Sequence, residues 1–173
     1  MPSSCFTILP FAGHYYEFVS LSNAATFASL YSMASARNFR GVSGHVLTVT
    51  GQGEQAFVAG LLQQAMLSTQ ATLAAFDGQR IGATNSFKYT AGPEAGIPFT
   101  FTNWDDYSPI TNQPQPDSAV TGFNCLLIEL QTGLWSDQNC FDTVSAYMVE
   151  YECPAGFLFN ATGCYGLIFL NRA

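Results

Sequence analysis

The stretch NQPQPDSAVTGFNCLLIELQTGLWSDQNC, residues 112–140, decides how this chain is read. Cys125 and Cys140 bracket an apolar strand, a turn and a second strand that ends in Trp135-Ser136-Asp137. Just upstream stands Gln115-Pro116-Asp117, in a proline-rich run that taken alone reads as a surface turn. If residues 115–137 form one looped-out hairpin, the oxygens of Gln115, Asp117 and Asp137 converge.

Toward the C-terminus, SAYMVEYEC (145–153) is a further firm strand, rich in β-formers. Toward the N-terminus the texture is looser. QRIGAT (79–84), SFKYT (86–90) and FTFTNW (99–104) read as short strands, interrupted by the turn clusters AGPEAGIP and YSPITNQPQPDS. The first third is more regular. HYYEFVS (14–20) reads as a strand, and Phe27, Leu30, Tyr31 and Ala34 fall at helical spacing after a cap at Ser22 or Asn23. HVLTVT (45–50) is a short strand, and residues 54–67 form a second helix with Phe57, Val58, Leu61 and Leu62 on one side. Two helices early and many short strands late predict an α+β domain with antiparallel strands and a long loop region.

The 173 residues are enough for one domain with a full hydrophobic core. At 48% hydrophobic and 14% aromatic residues, the chain is not disordered. Only 10% of residues are charged, against about 25% in typical soluble domains. Solubility then rests on Ser, Thr, Asn and Gln, which suits a cell exterior, a glycosylated surface or a packed assembly. The net charge is −7, and the five bases Arg37, Arg40, Arg80, Lys88 and Arg172 do not cluster. That excludes a nucleic-acid partner, because phosphate binding needs a positive stripe. No apolar run approaches the ~20 residues of a membrane span. MPSSCFTILPF has no basic leader, so a secreted protein would have lost one or carry it outside this numbering.

Five cysteines, Cys5, Cys125, Cys140, Cys153 and Cys164, match no zinc spacing, with only His14 and His45 to help. They read instead as disulfide formers in an oxidising compartment. The odd count leaves one thiol free or pairs it with another chain.

Taken in order, these pieces resemble a C-type lectin-like domain, in the form found in bacterial and algal extracellular proteins. GHYYEFVS resembles the family's first strand, and GVSGHVLTVTGQGEQAFVAGLL its strand-and-helix segment. RIGATN stands where the family has Trp-Ile-Gly, and YTAGPEAGIPFTFTNW resembles the approach to the long loop. QPD, NC, LWSDQNC and YMVEYE follow in family order. The resemblance divides the chain into an N-terminal extension (1–12), the lectin-like domain (13–153) and an apolar tail (154–173) that packs on the domain itself or on a neighbouring subunit.

Within that resemblance, a Cys125–Cys140 bridge pins the base of the long loop. Closing ~15 residues contributes about 3 kcal/mol in the chain-entropy model. The family's other common bridge is missing, since the first helix has no cysteine and Val149 fills the last-strand position. Pairing of the first and last strands brings Cys5 near Cys153 and Cys164. Cys153–Cys164 is the preferred pair, with Cys5 bonded to either as the alternative.

The resemblance also implies a sugar site built on one Ca²⁺, which takes 6–8 hard oxygen ligands. Gln115, Pro116 and Asp117 match the galactose-type tripeptide, whose proline is cis, and Trp135 and Asp137 match the family's Trp-Asn-Asp. Gln115, Asp117 and Asp137 become the candidate metal ligands. With Ser136 and Tyr107, which would stack on a sugar face, they become the candidate carbohydrate-binding residues. Ser136 replaces the asparagine and Phe123 the acid before the inner cysteine, with Asn124 beside it. Two carboxylates remain, unless Asp105 and Asp106 approach the loop, so calcium binding is expected to be millimolar or absent. Trp104 and Trp135 are expected in the core.

No Gly-x-Ser-x-Gly or phosphate loop is present, His14 and His45 read as structural, and Glu54, Glu94, Glu129, Glu150 and Glu152 are dispersed. A non-enzymatic role is expected. Asn160-Ala161-Thr162 is a glycosylation sequon. Two roles compete. One is an extracellular glycan-binding domain with a degenerate calcium site and a part in assembly. The other is a structural subunit of a filament or coat, a homo-oligomer joined through the tail.

Overall fold

The computed structural model describes residues 8–107, 113–117, 123–153, 157–159 and 164–166. Its elements are β1 (Leu9–Phe11), β2 (His14–Thr26), α1 (Phe27–Ser35), β3 (Asn38–Phe39), β4 (Val42–Ser43), β5 (His45–Val46), α2 (Gln52–Met66), β6 (Leu73–Phe76), β7 (Gln79–Arg80), β8 (Phe87–Lys88), β9 (Phe123–Glu129), β10 (Trp135–Asn139), β11 (Thr143–Tyr151), β12 (Phe157–Phe159) and β13 (Cys164–Gly166). The main sheet runs β1-β2-β11-β6-β9-β10, with β5 also on β11. β2 and β11, the first and last strands of the sequence reading, pair antiparallel, Tyr15 opposite Tyr151.

CLLIEL carries no apolar–polar alternation because β9 is covered on both faces. Leu126 and Ile128 enter one core cluster with Val58, Leu61 and Leu62 of α2. Leu127 enters the other with Phe27, Leu30 and Ala34 of α1. The two-residue period of a strand and the 3.6-residue period of a helix thus meet across each face. Each fully buried Leu, Ile or Val contributes about 1.5–3 kcal/mol. Trp135 is fully buried as well; its indole N–H donates to Gln55 Oε1 at 2.9 Å.

Two expectations shift. The first helix starts at Phe27, after Thr26, rather than after Ser22 or Asn23. Pairing with β11 continues past Ser20, with Ala25 opposite Val144 and Thr26 opposite Thr143, and tertiary pairing overrides the local cap signal. FTFTNW forms no strand; among its described contacts a single bridge joins Trp104 to Trp135. Its aromatics instead pack Phe99, Phe101 and Trp104 against the core.

Both expected bridges are present. Cys125–Cys140 spans 5.2 Å between Cα atoms, and Cys153–Cys164 spans 5.4 Å. The second closes the β12–β13 hairpin, and Phe159 packs on Tyr15 and Phe39 with ring centroids 4.8 and 6.3 Å apart. The described part of the tail therefore folds back on its own domain. Aromatic surface on β2 and β3 is the nearest apolar cover for it. Cys5, Asn160 and the rest of the tail lie outside the described residues.

Candidate functional site

The long-loop site is assembled on β10. Segment 103–105 lies along this strand: the Trp135 N–H donates to Asn103 O at 2.9 Å, and the Asp105 N–H to Trp135 O at 3.0 Å. The next layer attaches to that one, with the Gln115 N–H on Asp105 O at 2.8 Å. The Gln115–Pro116 bond is cis. Gln115 Oε1 then accepts the Asp137 N–H at 3.1 Å, and the Asp117 N–H donates to Asp137 Oδ1 at 3.1 Å. Gln115, Asp117 and Asp137 are thus brought together, across 20 and 22 positions of sequence.

The other candidates stand apart. Ser136 is half-buried and, by the period of the strand, faces the side opposite Trp135 and Asp137. Tyr107 is 62% exposed at the end of its segment, its N–H donating to Asp105 Oδ1 at 3.0 Å. That contact turns the Asp105 side chain toward Tyr107, and Asp106 is exposed.

The decisive residue is one the sequence reading passed over. Arg80 reaches Asp137 Oδ2 through Nη2, in an ion pair whose side chains are 1% and 0% exposed. Its Nη1 donates to Thr84 O at 2.8 Å and Asn85 Oδ1 at 2.7 Å. The guanidinium lies over the Phe87 ring at 4.8 Å. Burial pushes the Asp137 carboxyl up, against the opposing pull of Arg80 and of the Asp117 N–H.

This donor set does not fit Ca²⁺. Both Asp137 oxygens are taken, one by a cation and one by an amide, and Gln115 Oε1 is taken by another amide. An ion at Asp137 would have to lie against a buried guanidinium of like sign. These contacts compete with metal ligation at Gln115 and Asp137, the candidate ligands of the sequence reading; the third, Asp117, joins them through its backbone N–H and keeps a half-buried side chain. Little in QRIGATN signals this, except a strong base inside an otherwise uncharged stretch.

A second polar cluster also escaped the sequence. Of the glutamates read as dispersed, Glu94, Glu150 and Glu152 converge on His14 and Thr48, and Glu54 joins them through Tyr16. His14 Nδ1 lies 2.6 Å from Glu150 Oε1 and 3.3 Å from Glu152 Oε2. Thr48 Oγ1 lies 3.1 Å from Glu150 Oε2 and 3.2 Å from Glu94 Oε2, with one proton to donate to either. The Tyr16 hydroxyl donates to Glu54 Oε1 at 2.7 Å. The hydrogen bond to Glu150 raises the His14 pKa, and burial, then Glu150 and Glu94, pushes the Glu152 carboxyl up to about 7. Ligating atoms of His14, Glu150 and Glu152 fall within 4.8 Å of one another, the span of a metal site. The histidine already supplies their positive partner. His45 Nδ1 lies 3.0 Å from Val46 O, while its buried Nε2 has no partner among the described residues.

Beside the Cys125–Cys140 bridge, a cleft of about 590 Å³ opens between α1 and the loop, lined by Phe27, Tyr31, Gln79, Thr90 and Phe141. Tyr31 and Thr90 meet Asp77 at its wall, and Phe141 is 84% exposed at its rim.

No protein-family model matches the chain, and no curated protein does. Solved structures do. The chain is similar to human lithostathine, at 16% identity and a TM-score of 0.62 over 88% of this chain and 96% of that one. It is similar to the C-type lectin CEL-I from Cucumaria echinata, at 18% identity and 0.61 over 82% and 92%. It is also similar to the Ca²⁺-independent C-type lectin SPL-2 from Saxidomus purpuratus, at 18% identity and 0.58 over 83% and 89%. With the strand order and the Cys125–Cys140 bridge in place, the chain has the C-type lectin-like fold.

Proposed function

We propose that the chain is an extracellular, lectin-like recognition module that binds glycans without calcium at its long loop. One observation carries this reading: Asp137, the carboxylate on which a loop calcium would depend, is closed off by Arg80 and the Asp117 N–H. SPL-2, with the same fold, is a Ca²⁺-independent lectin, which is precedent for the combination. Two disulfides fit an oxidising exterior, and no described helix is long and apolar enough to cross a membrane. A binding role rather than catalysis fits neighbours that are lectin domains.

The sugar contacts fall to Asp117 and Tyr107 of the loop, the latter for ring stacking, or to the cleft rimmed by Phe141 in the β10–β11 turn. A glycan array probed with and without EDTA tests this. Binding unchanged by EDTA is expected. Binding that disappears with EDTA and returns with Ca²⁺ overturns the calcium-free reading.

The second reading, a structural subunit with no sugar binding, is favoured by the cysteine count. Four of five cysteines pair within the chain, leaving Cys5 for a partner. Sedimentation under oxidising and reducing conditions separates the two. A reducible oligomer together with a blank glycan array selects the structural subunit.

A further inference from the structure

A buried arginine is expensive unless its donors and its charge are all met. Arg80 meets them in two stages. Its own hairpin comes first: Arg80 pairs with Phe87 across β7–β8, lies over that ring, and donates to Thr84 O and Asn85 Oδ1 within the connecting turn. These local contacts fix the orientation of the guanidinium toward its distant partner. The second stage is Asp137, 57 positions away. Asp137 in turn holds the loop, through the Asp117 N–H on Oδ1 and its own N–H on Gln115 Oε1.

We infer that Arg80 is a resident cation: its guanidinium fills a latent cation site of the long loop and docks residues 115–117 onto β10 in place of a bound ion. Its acceptors among the described residues include a carboxylate, a side-chain amide and a backbone carbonyl, the oxygen types that hold hard cations such as Ca²⁺. Trimming the side chain opens that oxygen set to a small cation from solution. The site's specificity is therefore written in one residue: with Arg80 it excludes free cations, and without it the same oxygens accept them. This inference rests on the calcium-free reading of the loop.

Thermal unfolding and amide exchange at Asp117 test it, on the whole chain. Wild type is expected to melt at the same temperature in EDTA and in millimolar Ca²⁺, with Asp117 protected in both. Arg80→Ala is expected to melt about 10 °C lower and to lose that protection. Millimolar guanidinium or Ca²⁺ is then expected to restore much of the loss, and sodium at equal ionic strength is not. If Arg80→Ala does not fold, Arg80→Lys takes its place: an ammonium keeps the charge but not the fork, so an intermediate melting temperature and partial protection are expected.

Arg80→Ala melting like wild type overturns the inference. So does equal recovery with sodium, no recovery with either cation, or an Arg80→Lys variant that matches wild type. These outcomes are independent of the glycan array. EDTA-sensitive sugar binding would sink the calcium-free reading, whereas failed rescue with EDTA-insensitive binding would sink only the role of Arg80.

Discussion

Asp137 and Glu150 are both carboxylates buried on strands of one sheet, yet they are neutralised in opposite ways. Asp137 faces the buried guanidinium of Arg80. Glu150 faces His14 and lies among Glu54, Glu94 and Glu152, so its surroundings change charge near neutrality. The first arrangement makes a permanent fastener for the long loop. The second makes a region whose stability depends on protons, where β2, β11 and α2 meet.

The largest test of that contrast is Asp137→Ala, which strands Arg80 as a buried, uncompensated charge. Unfolding in urea near neutral pH should show a loss of about 3–5 kcal/mol. A loss under 1 kcal/mol would mean that water reaches the guanidinium and the fastener is loose.

The second test concerns pH. His14 and Glu152 both bind a proton more tightly in the folded chain than in the unfolded one, His14 through Glu150 and Glu152 through burial and its acidic neighbours. Their contribution is therefore full below the unfolded values, 6.5 for His14 and 4.5 for Glu152. For Glu152 it fades as pH rises from 4.5 through about 7, and for His14 as pH rises above 6.5 through its raised value. Urea midpoints should fall between about pH 5 and pH 8, by on the order of 1 kcal/mol. Glu152→Gln should flatten the slope, and an unchanged slope would move the titration elsewhere.

The smallest effect on stability belongs to Tyr107→Ala, within about 0.5 kcal/mol because the side chain is mostly exposed. Glycan binding should nevertheless weaken if the ring stacks on a sugar. Undiminished binding on the array would shift the contact toward the Phe141 cleft.

Much of the scaffold was legible in advance. Residues 54–67 place Phe57, Val58, Leu61 and Leu62 on one helical side; Val58, Leu61 and Leu62 are buried, together with Gln55 and Ala65, and Phe57 is half-buried. The order of QPD, NC and LWSDQNC implied the bridge at Cys125 and the meeting of Asp117 with Asp137. FTFTNW misled because its Phe and Trp side chains pack beside Trp135, which aromatic bulk achieves without a ladder of backbone bonds. Ser22 and Asn23 misled because β11 offered their neighbours partners better than a helix cap.

Local pattern, then, determined the second helix and the strand–turn–strand unit between Cys125 and Cys140, since each depends on residues close along the chain. Which ion each buried acid faces was decided only by the tertiary structure. Charges interact through distance in space, and Arg80 meets Asp137 across 57 residues, as His14 meets Glu150 across 136. A base and an acid so far apart in sequence carry no mark of their pairing until the sheet closes and removes the water between them.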